Sequence, residues 1–253
     1  MTNMLLIVFL SLVSLMSAVW IVYRVLQNPS VVDVAWPIGL MIAGLLYLRS
    51  AEPMTLRIDI ISVLLVIWGM RLAGYLYLSR IRKNHIDKRY QALSDTWRIA
   101  KPLGFFLNFQ LQGLLIFIIS ISFFFASVDQ PPTMSNVDFL AICITIIGII
   151  GESIADMQLQ FFKKTHQQAV CNVGLWRYSR HPNYFFDWLT WCGFALFGFH
   201  HAIGYLSVLS PVCLYIIFTR ITGPMTELGS IESRGIAYKA YQKITPMFFP
   251  WVR

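Results

Sequence analysis

Charge is scarce in this sequence. Asp, Glu, Lys and Arg make up 13% of its 253 residues, against 57% for hydrophobic residues. A soluble domain of this length needs a more highly charged surface, so that class is excluded. Cysteine is scarce too: Cys143, Cys171, Cys192 and Cys213 are scattered and no Cys-x-x-Cys occurs. Neither a zinc site nor a disulfide framework is supported. No internal repeat or low-complexity tract is visible, and Pro250-Trp-Val-Arg253 is not a prenylation box. No basic residue precedes the first apolar block, Met4 to Val22, and no persuasive cleavage site follows it. The block reads as a retained helix and not as a removed signal.

What is present is a series of long apolar blocks, the mark of an integral membrane protein. They predict an all-α bundle of about seven transmembrane helices in one domain, with spans near 4–24, 31–49, 57–79, 103–127, 137–159, 183–200 and 202–220. Pro29, Pro53, Pro131-Pro132 and Pro182 mark boundaries. The net charge of +8 resides in loops, so it sets orientation and does not indicate nucleic acid. Arg80, Arg82, Lys83, Lys88, Arg89, Arg98 and Lys101 follow span three, and Lys163, Lys164, Arg177 and Arg180 follow span five. Arg220, Arg234, Lys239, Lys243 and Arg253 lie in the tail. Only Arg49 and Arg57 fall on the opposite side, and Arg71 lies inside a span. The rich side is expected to be cytoplasmic, which puts the N-terminus outside and the C-terminus inside.

Ionisable groups within spans are costly and usually face a bundle interior or wet cavity. Glu152 and Asp156 stand four apart in span five, with Lys163 seven further on, all on one face. The bland alternative is a helix-end salt bridge among headgroups. Two acids on an apolar helix favour a site that holds ribose hydroxyls, an amide or a cation. Downstream, Pro182 suits the first turn of a helix. Asn183, Asp187 and Trp191 then share one face, with Arg177, Arg180 and His181 at the helix start. A helix N-terminus with arginines suits a phosphate or carboxylate. A headgroup anchor explains Trp176 and Tyr178, but not Asn183 and Asp187, which point into the span. The tail from Thr226 to Lys243 is too polar to span. Glu227, Arg234, Tyr238 and Tyr241 share a face if it is helical, either as an interfacial helix or as a cover over the site.

In the N-terminal half, Asp33 opens span two ahead of Trp36-Pro37, either as a functional acid or as a helix cap. Arg71 and Tyr75 stand four apart in span three, and Asp87-Lys-Arg-Tyr90 follows in the basic loop.

Several motifs carry a family resemblance. They are Gly151-Glu-Ser-Ile-Ala-Asp156, Gly174-Leu-Trp-Arg-Tyr-Ser-Arg-His-Pro-Asn-Tyr184 with Asp187 and Trp191, Arg234-Gly-x-x-Tyr-x-x-Tyr241, and Phe249-Pro-Trp251. With Val32-Asp-Val-Ala-Trp36 and Asp87-x-Arg-Tyr90, they resemble a bacterial branch of the steroid 5-alpha-reductase-like membrane proteins. The resemblance implies a seven-helix bundle that binds NADPH from the cytoplasm. It also implies hydride transfer to a carbon–carbon double bond conjugated to a carbonyl in a lipid or steroid-like substrate. Residues 1–128 would then be the substrate-side helices, and 129–253 the cofactor-binding half. By position, Glu152, Asp156 and Lys163 match the family's cofactor face on helix five. Tyr178, Asn183, Asp187 and Trp191 match those around helix six, and Arg177, Arg180, His181, Tyr184, Arg234 and Tyr238 complete the implied cofactor site. Glu227 falls where steroid reductases carry a histidine. Those reductases polarise the substrate carbonyl with a Gln-Glu pair in helix two and a tyrosine of helix three. Here Val32-Asp33 stands in that place, and Tyr75, with Arg71 in support, is the candidate tyrosine. Asp33, Tyr75 and Arg71 are therefore the implied catalytic set.

Two other classes compete. Arg180-His-Pro-x-Tyr184 and Glu227…Arg234-Gly…Tyr238…Pro250 also resemble isoprenylcysteine and phospholipid methyltransferases, which use S-adenosylmethionine. A non-enzymatic lipid-binding protein is the third. No metal site is expected, and the oligomeric state is open.

Overall fold

The computed structural model describes residues 2–83, 86–128, 130–131, 133–166 and 169–250. Pro132, the Lys88 side chain, Trp251 of the C-terminal motif and Arg253 lie outside the described residues. Helix accounts for 81% of the described residues, and no strand occurs among them. Among the described residues, six helices are long and apolar enough to cross a membrane: Asn3–Leu26, Val31–Arg49, Leu56–Ile81, Lys101–Ser127, Asn136–Thr165 and Gly204–Arg234. The protein is thus a helical, multi-pass membrane protein. The first five spans read from the sequence each fall inside one of these helices. The stretch 183–200 forms a shorter helix with a 3-10 turn at its end.

The chain divides into two compact units, residues 1–135 with 195–210, and residues 136–194 with 211–253. In the first unit, α2 (Val31–Arg49) is the central helix, packed by α1 (Thr2–Leu26), α3 (Leu56–Leu76), α5 (Lys101–Ile119) and α6 (Ile121–Ser127). The short α4 (Lys88–Asp95) precedes α5. On α1 the buried edge is Val8, Leu12 and Met16, whereas Leu6, Leu10 and Val25 are exposed. Such a helix is stable only where its outer face meets hydrocarbon. The break between α5 and α6 falls at Ser120, whose hydroxyl donates to the Phe117 carbonyl at 2.9 Å. A serine bonded back into the preceding turn bends a helix there.

In the second unit, α7 (Asn136–Thr165) meets α8 (Pro182–Leu196) through glycines. A methyl at Gly148 would collide with Thr190, one at Gly151 with the Phe186 ring, and one at Gly193 with Thr145. The two backbones therefore approach closely, as small residues permit in membranes. The chain then runs through α9 (Leu209–Ile216), a π-helical turn at Ile217–Thr222 and α10 (Gly223–Arg234). At 31 residues, Gly204–Arg234 is about 45 Å long, more than a ~30 Å hydrocarbon core requires.

The tail differs from the sequence reading. One helical face over 226–243 does not form, because α10 ends at Gly235 with φ of 56° and α11 (Ile236–Ile244) starts afresh. Glycine adopts that left-handed φ without a Cβ clash. Glu227 and Arg234 therefore belong to α10, and Tyr238 and Tyr241 to α11.

Candidate functional site: two polar clusters

The α7–α8 pair of the second unit buries acids. Glu152 is 3% exposed, Asp156 4% and Asp187 8%, and Trp191 is fully buried beside them in sequence register. Asn183 Nδ2 donates to Asp156 Oδ1 at 3.3 Å, which joins the two helices. Asn183 Oδ1 is buried without a hydrogen-bond partner among the described residues. Burying several carboxyl groups in one helix pair is costly and marks a working site more often than a packing need. The 3-10 turn Gly174–Arg177 is fastened to α7 by Leu175 N donating to Gln158 Oε1 at 2.9 Å, and by Trp176 Nε1 donating to the Ala155 carbonyl at 2.9 Å. That turn leaves Arg177 and Tyr178 exposed, and Lys163 is exposed near the end of α7.

Arg180 and His181 take a different part from the phosphate contact that the sequence suggests. Arg180 donates from Nε to Glu227 Oε1 at 2.6 Å and from Nη2 to Oε2 at 3.2 Å. Its Nη1 donates to the carbonyls of Gln242 at 3.2 Å and Thr245 at 2.6 Å. His181 Nε2 lies 3.2 Å from Glu227 Oε1, and Gln242 Nε2 donates to Oε2 at 2.7 Å. Both residues are thus committed within the protein, because a buried Glu227 needs the Arg180 charge and hydrogen-bond donors to offset its desolvation. The His181 ring stacks on Tyr184 at 5.0 Å, and Tyr184 stacks on Phe218 of the π-helical turn at 4.8 Å.

The C-terminal segment closes on the same unit. Arg180 N donates to the Pro246 carbonyl at 2.9 Å, and Ser179 Oγ to the Phe248 carbonyl at 2.9 Å. Phe248 and Phe249 pack with Phe185, Trp188 and Tyr215. Arg234 Nε is held by the Ala169 carbonyl at 3.0 Å. Tyr238 is buried; burial and the Glu227 charge push its phenol up to about 12. Burial likewise raises Tyr241, whose hydroxyl donates to the carbonyls of Trp176 and Ser179.

The first unit holds the second cluster. Asp33 in the first turn of α2 accepts from Arg80 at Oδ2 and from the Tyr90 hydroxyl at Oδ1, 2.8 Å away. Arg89 Nη2 stands 3.5 Å from the same Oδ1. Asp87 caps α4 by accepting from Arg89 N at 3.0 Å. It also pairs with Arg89 Nη2 at 2.8 Å and Arg80 Nη2 at 3.3 Å. Burial alone would raise the Asp87 carboxyl, but the hydrogen bond and charge of Arg89 with the charge of Arg80 outweigh it and hold it at about 2. Burial, reinforced by the Asp33 charge, pushes the Tyr90 phenol well up. Arg80 reaches Asp33 from a π-helical turn, Tyr77–Ile81, that extends α3. Such turns recur at functional sites.

Asp33 is therefore an acceptor at both oxygens, and it is not a helix cap: Ser30 holds the cap position of α2, without a side-chain cap bond. Arg71 and Tyr75 lie half-buried on α3, with Arg71 Nε and Nη2 shielded from solvent.

Sequence reasoning reads Arg80 and Arg57 only as orientation charges. Arg57 is 3% exposed, donates from Nη1 to the Ala126 carbonyl at 2.9 Å and from Nη2 to that of Phe197, and sits 5.6 Å from the Phe197 ring. The central place of Glu227 is also missed. The sequence marks it as an acid on a tail face with Arg234, Tyr238 and Tyr241, but nothing there pairs it with Arg180-His181, 46 to 47 positions away.

Fold and clusters together define a polytopic helical membrane protein with buried polar centres. A family model described as a protein of unknown function, DUF1295, matches residues 19–245, and the chain belongs to that family. No curated protein and no solved structure matches it.

Proposed function

We propose that this protein is an NADPH-dependent membrane reductase, akin to the steroid 5-alpha-reductase-like proteins, acting on a carbon–carbon double bond in a lipid or steroid-like substrate. The observation that carries the proposal is the set of buried polar groups on α7 and α8, Glu152, Asp156, Asn183 and Asp187. In this reading α8 with its 3-10 extension to His200 is a seventh crossing, the N-terminus is outside, and the C-terminus is cytoplasmic in a bacterial inner membrane.

The residues fit the cofactor in a particular way. Buried carboxylates accept from ribose hydroxyls, and the unpartnered Asn183 Oδ1 suits an amide N–H. Arg177 and Lys163, both exposed, take the phosphates. Trp191 supplies an apolar wall. NADPH, when bound, supplies a hydride for the β-carbon of an enone. The chain's own part is to exclude water, to polarise the carbonyl and to deliver a proton. We assign those last two tasks to Tyr75 with support from Arg71. Asp33, held by Arg80 and Tyr90, acts as a positioning residue.

The test is equilibrium binding of NADPH and of S-adenosylmethionine to the purified protein in detergent. NADPH alone should bind. Binding of S-adenosylmethionine alone would replace the proposal with a methyltransferase of the isoprenylcysteine or phospholipid type, an alternative supported by the Arg180–His181–Glu227 joint. Binding of neither would leave a lipid-binding protein without enzymatic activity.

A further inference from the structure

The outer face of α11 is unlike that of a helix meant for water alone. Its inner face buries Tyr238 and Tyr241, one turn apart. On the opposite side stand Ile236, Lys239, Ala240, Lys243 and Ile244. Ile236 is 85% exposed and Ile244 60%, at the two ends of the helix. Both lysines between them are exposed, with no acid anywhere in Ile236–Ile244. Exposed aliphatic ends around two lysines make the pattern of a helix lying in a membrane interface, with the ammonium groups reaching headgroup phosphates.

The rest of the fold puts this face near a bilayer surface. Gly204–Arg234 is longer than a hydrocarbon core requires, and the Gly235 turn starts α11 directly after that helix ends. The charge also matches: Lys and Arg outnumber Asp and Glu by 20 to 12 in the chain. Basic clusters next to a membrane-crossing helix are drawn to anionic lipid, each lysine adding to the attraction.

We infer that the outer face of α11 is a docking surface for anionic phospholipid headgroups of the protein's own bilayer, seated by Lys239 and Lys243 and anchored by Ile236 and Ile244. The inner face transmits that contact. Tyr241 donates to the carbonyls of Trp176 and Ser179, on either side of the exposed Arg177–Tyr178 pair, so lipid bound outside steadies the 3-10 turn inside. This surface stands whatever cofactor the second unit binds.

Hydrogen exchange of peptides covering 236–244 tests it, on the full-length protein in phosphatidylcholine nanodiscs and in discs that also contain phosphatidylglycerol. Exchange should slow by roughly tenfold with phosphatidylglycerol, and added salt should reverse the effect. The Lys239→Gln, Lys243→Gln double variant should lose the lipid response while keeping the wild-type melting temperature in detergent, since both side chains are exposed. Equal exchange in the two lipids would overturn the inference, whether α11 sits in the interface by its isoleucines alone or serves a protein partner. A lipid response unchanged in the double variant would overturn it too.

Discussion

Arg180 grips Glu227 through two parallel contacts, Nε to Oε1 and Nη2 to Oε2, and so ties the start of α8 to α10. The same guanidinium holds the carbonyls of Gln242 and Thr245, so one side chain joins three parts of the second unit. Lysine cannot reproduce that planar fork. Arg180→Lys should lower stability by about 2 kcal/mol, the loss of charge-assisted bonds around a buried acid. Thermal unfolding in detergent reads this directly, and an unchanged melting temperature would show that the joint is dispensable.

Asp33 and Arg80 should behave as one unit. Removing either partner leaves the other charge under-compensated in a partly buried setting, at a cost of about 2–3 kcal/mol. The double variant Asp33→Ala, Arg80→Ala should cost less than the sum of the two singles, with a coupling of about 1–2 kcal/mol. Additive singles would mean that the pair is not coupled. If Asp33 only positions the first-unit helices, Asp33→Asn should leave NADPH binding unchanged.

Acid should release the Asp87 cap. Its carboxyl sits at about 2 in the folded chain against an ordinary value of 3.8. The unfolded chain therefore takes up this proton first. The stabilisation is complete above pH 3.8 and is lost as pH falls from 3.8 toward about 2, an effect of order 2 kcal/mol. Unfolding measured across that window should show the slope, and Asp87→Asn should flatten it.

The cofactor reading rests on the polar face of α8. Asn183→Ala and Asp187→Ala should each weaken NADPH binding by roughly tenfold or more while the protein still folds. Unchanged affinity in both variants would remove these residues from the site.

Orientation is open to a direct measurement. A reporter fused after Arg253 should be cytoplasmic, and one inserted near Gln130 should lie on the other side. A cytoplasmic reporter at Gln130 would overturn the proposed topology.

The sequence by itself determined that this is an all-helical membrane protein, and it located five of the long helices to within a few residues. Apolar length is a local property, and a bilayer demands it of every crossing helix, so no partner has to be known. It also singled out Glu152, Asp156, Asn183 and Asp187, because acids and amides stand out on apolar faces. Only the tertiary structure decided what the basic side chains do. In sequence, Arg80 and Arg57 read as orientation charges, and Arg180 and His181 as an anion site at a helix start. Their roles depend on which carboxylate or carbonyl the fold brings within about 3 Å of them, and those partners lie 46 to 140 positions away for the pairs Arg80–Asp33, His181–Glu227 and Arg57–Phe197. The break at Gly235 belongs to the same class. A lone glycine can sit within a helix or end it, and here it ends one at a positive φ, which leaves Tyr238 and Tyr241 buried on a separate helix. Periodicity reports which face a residue occupies, whereas the identity of what faces it is set by packing between helices.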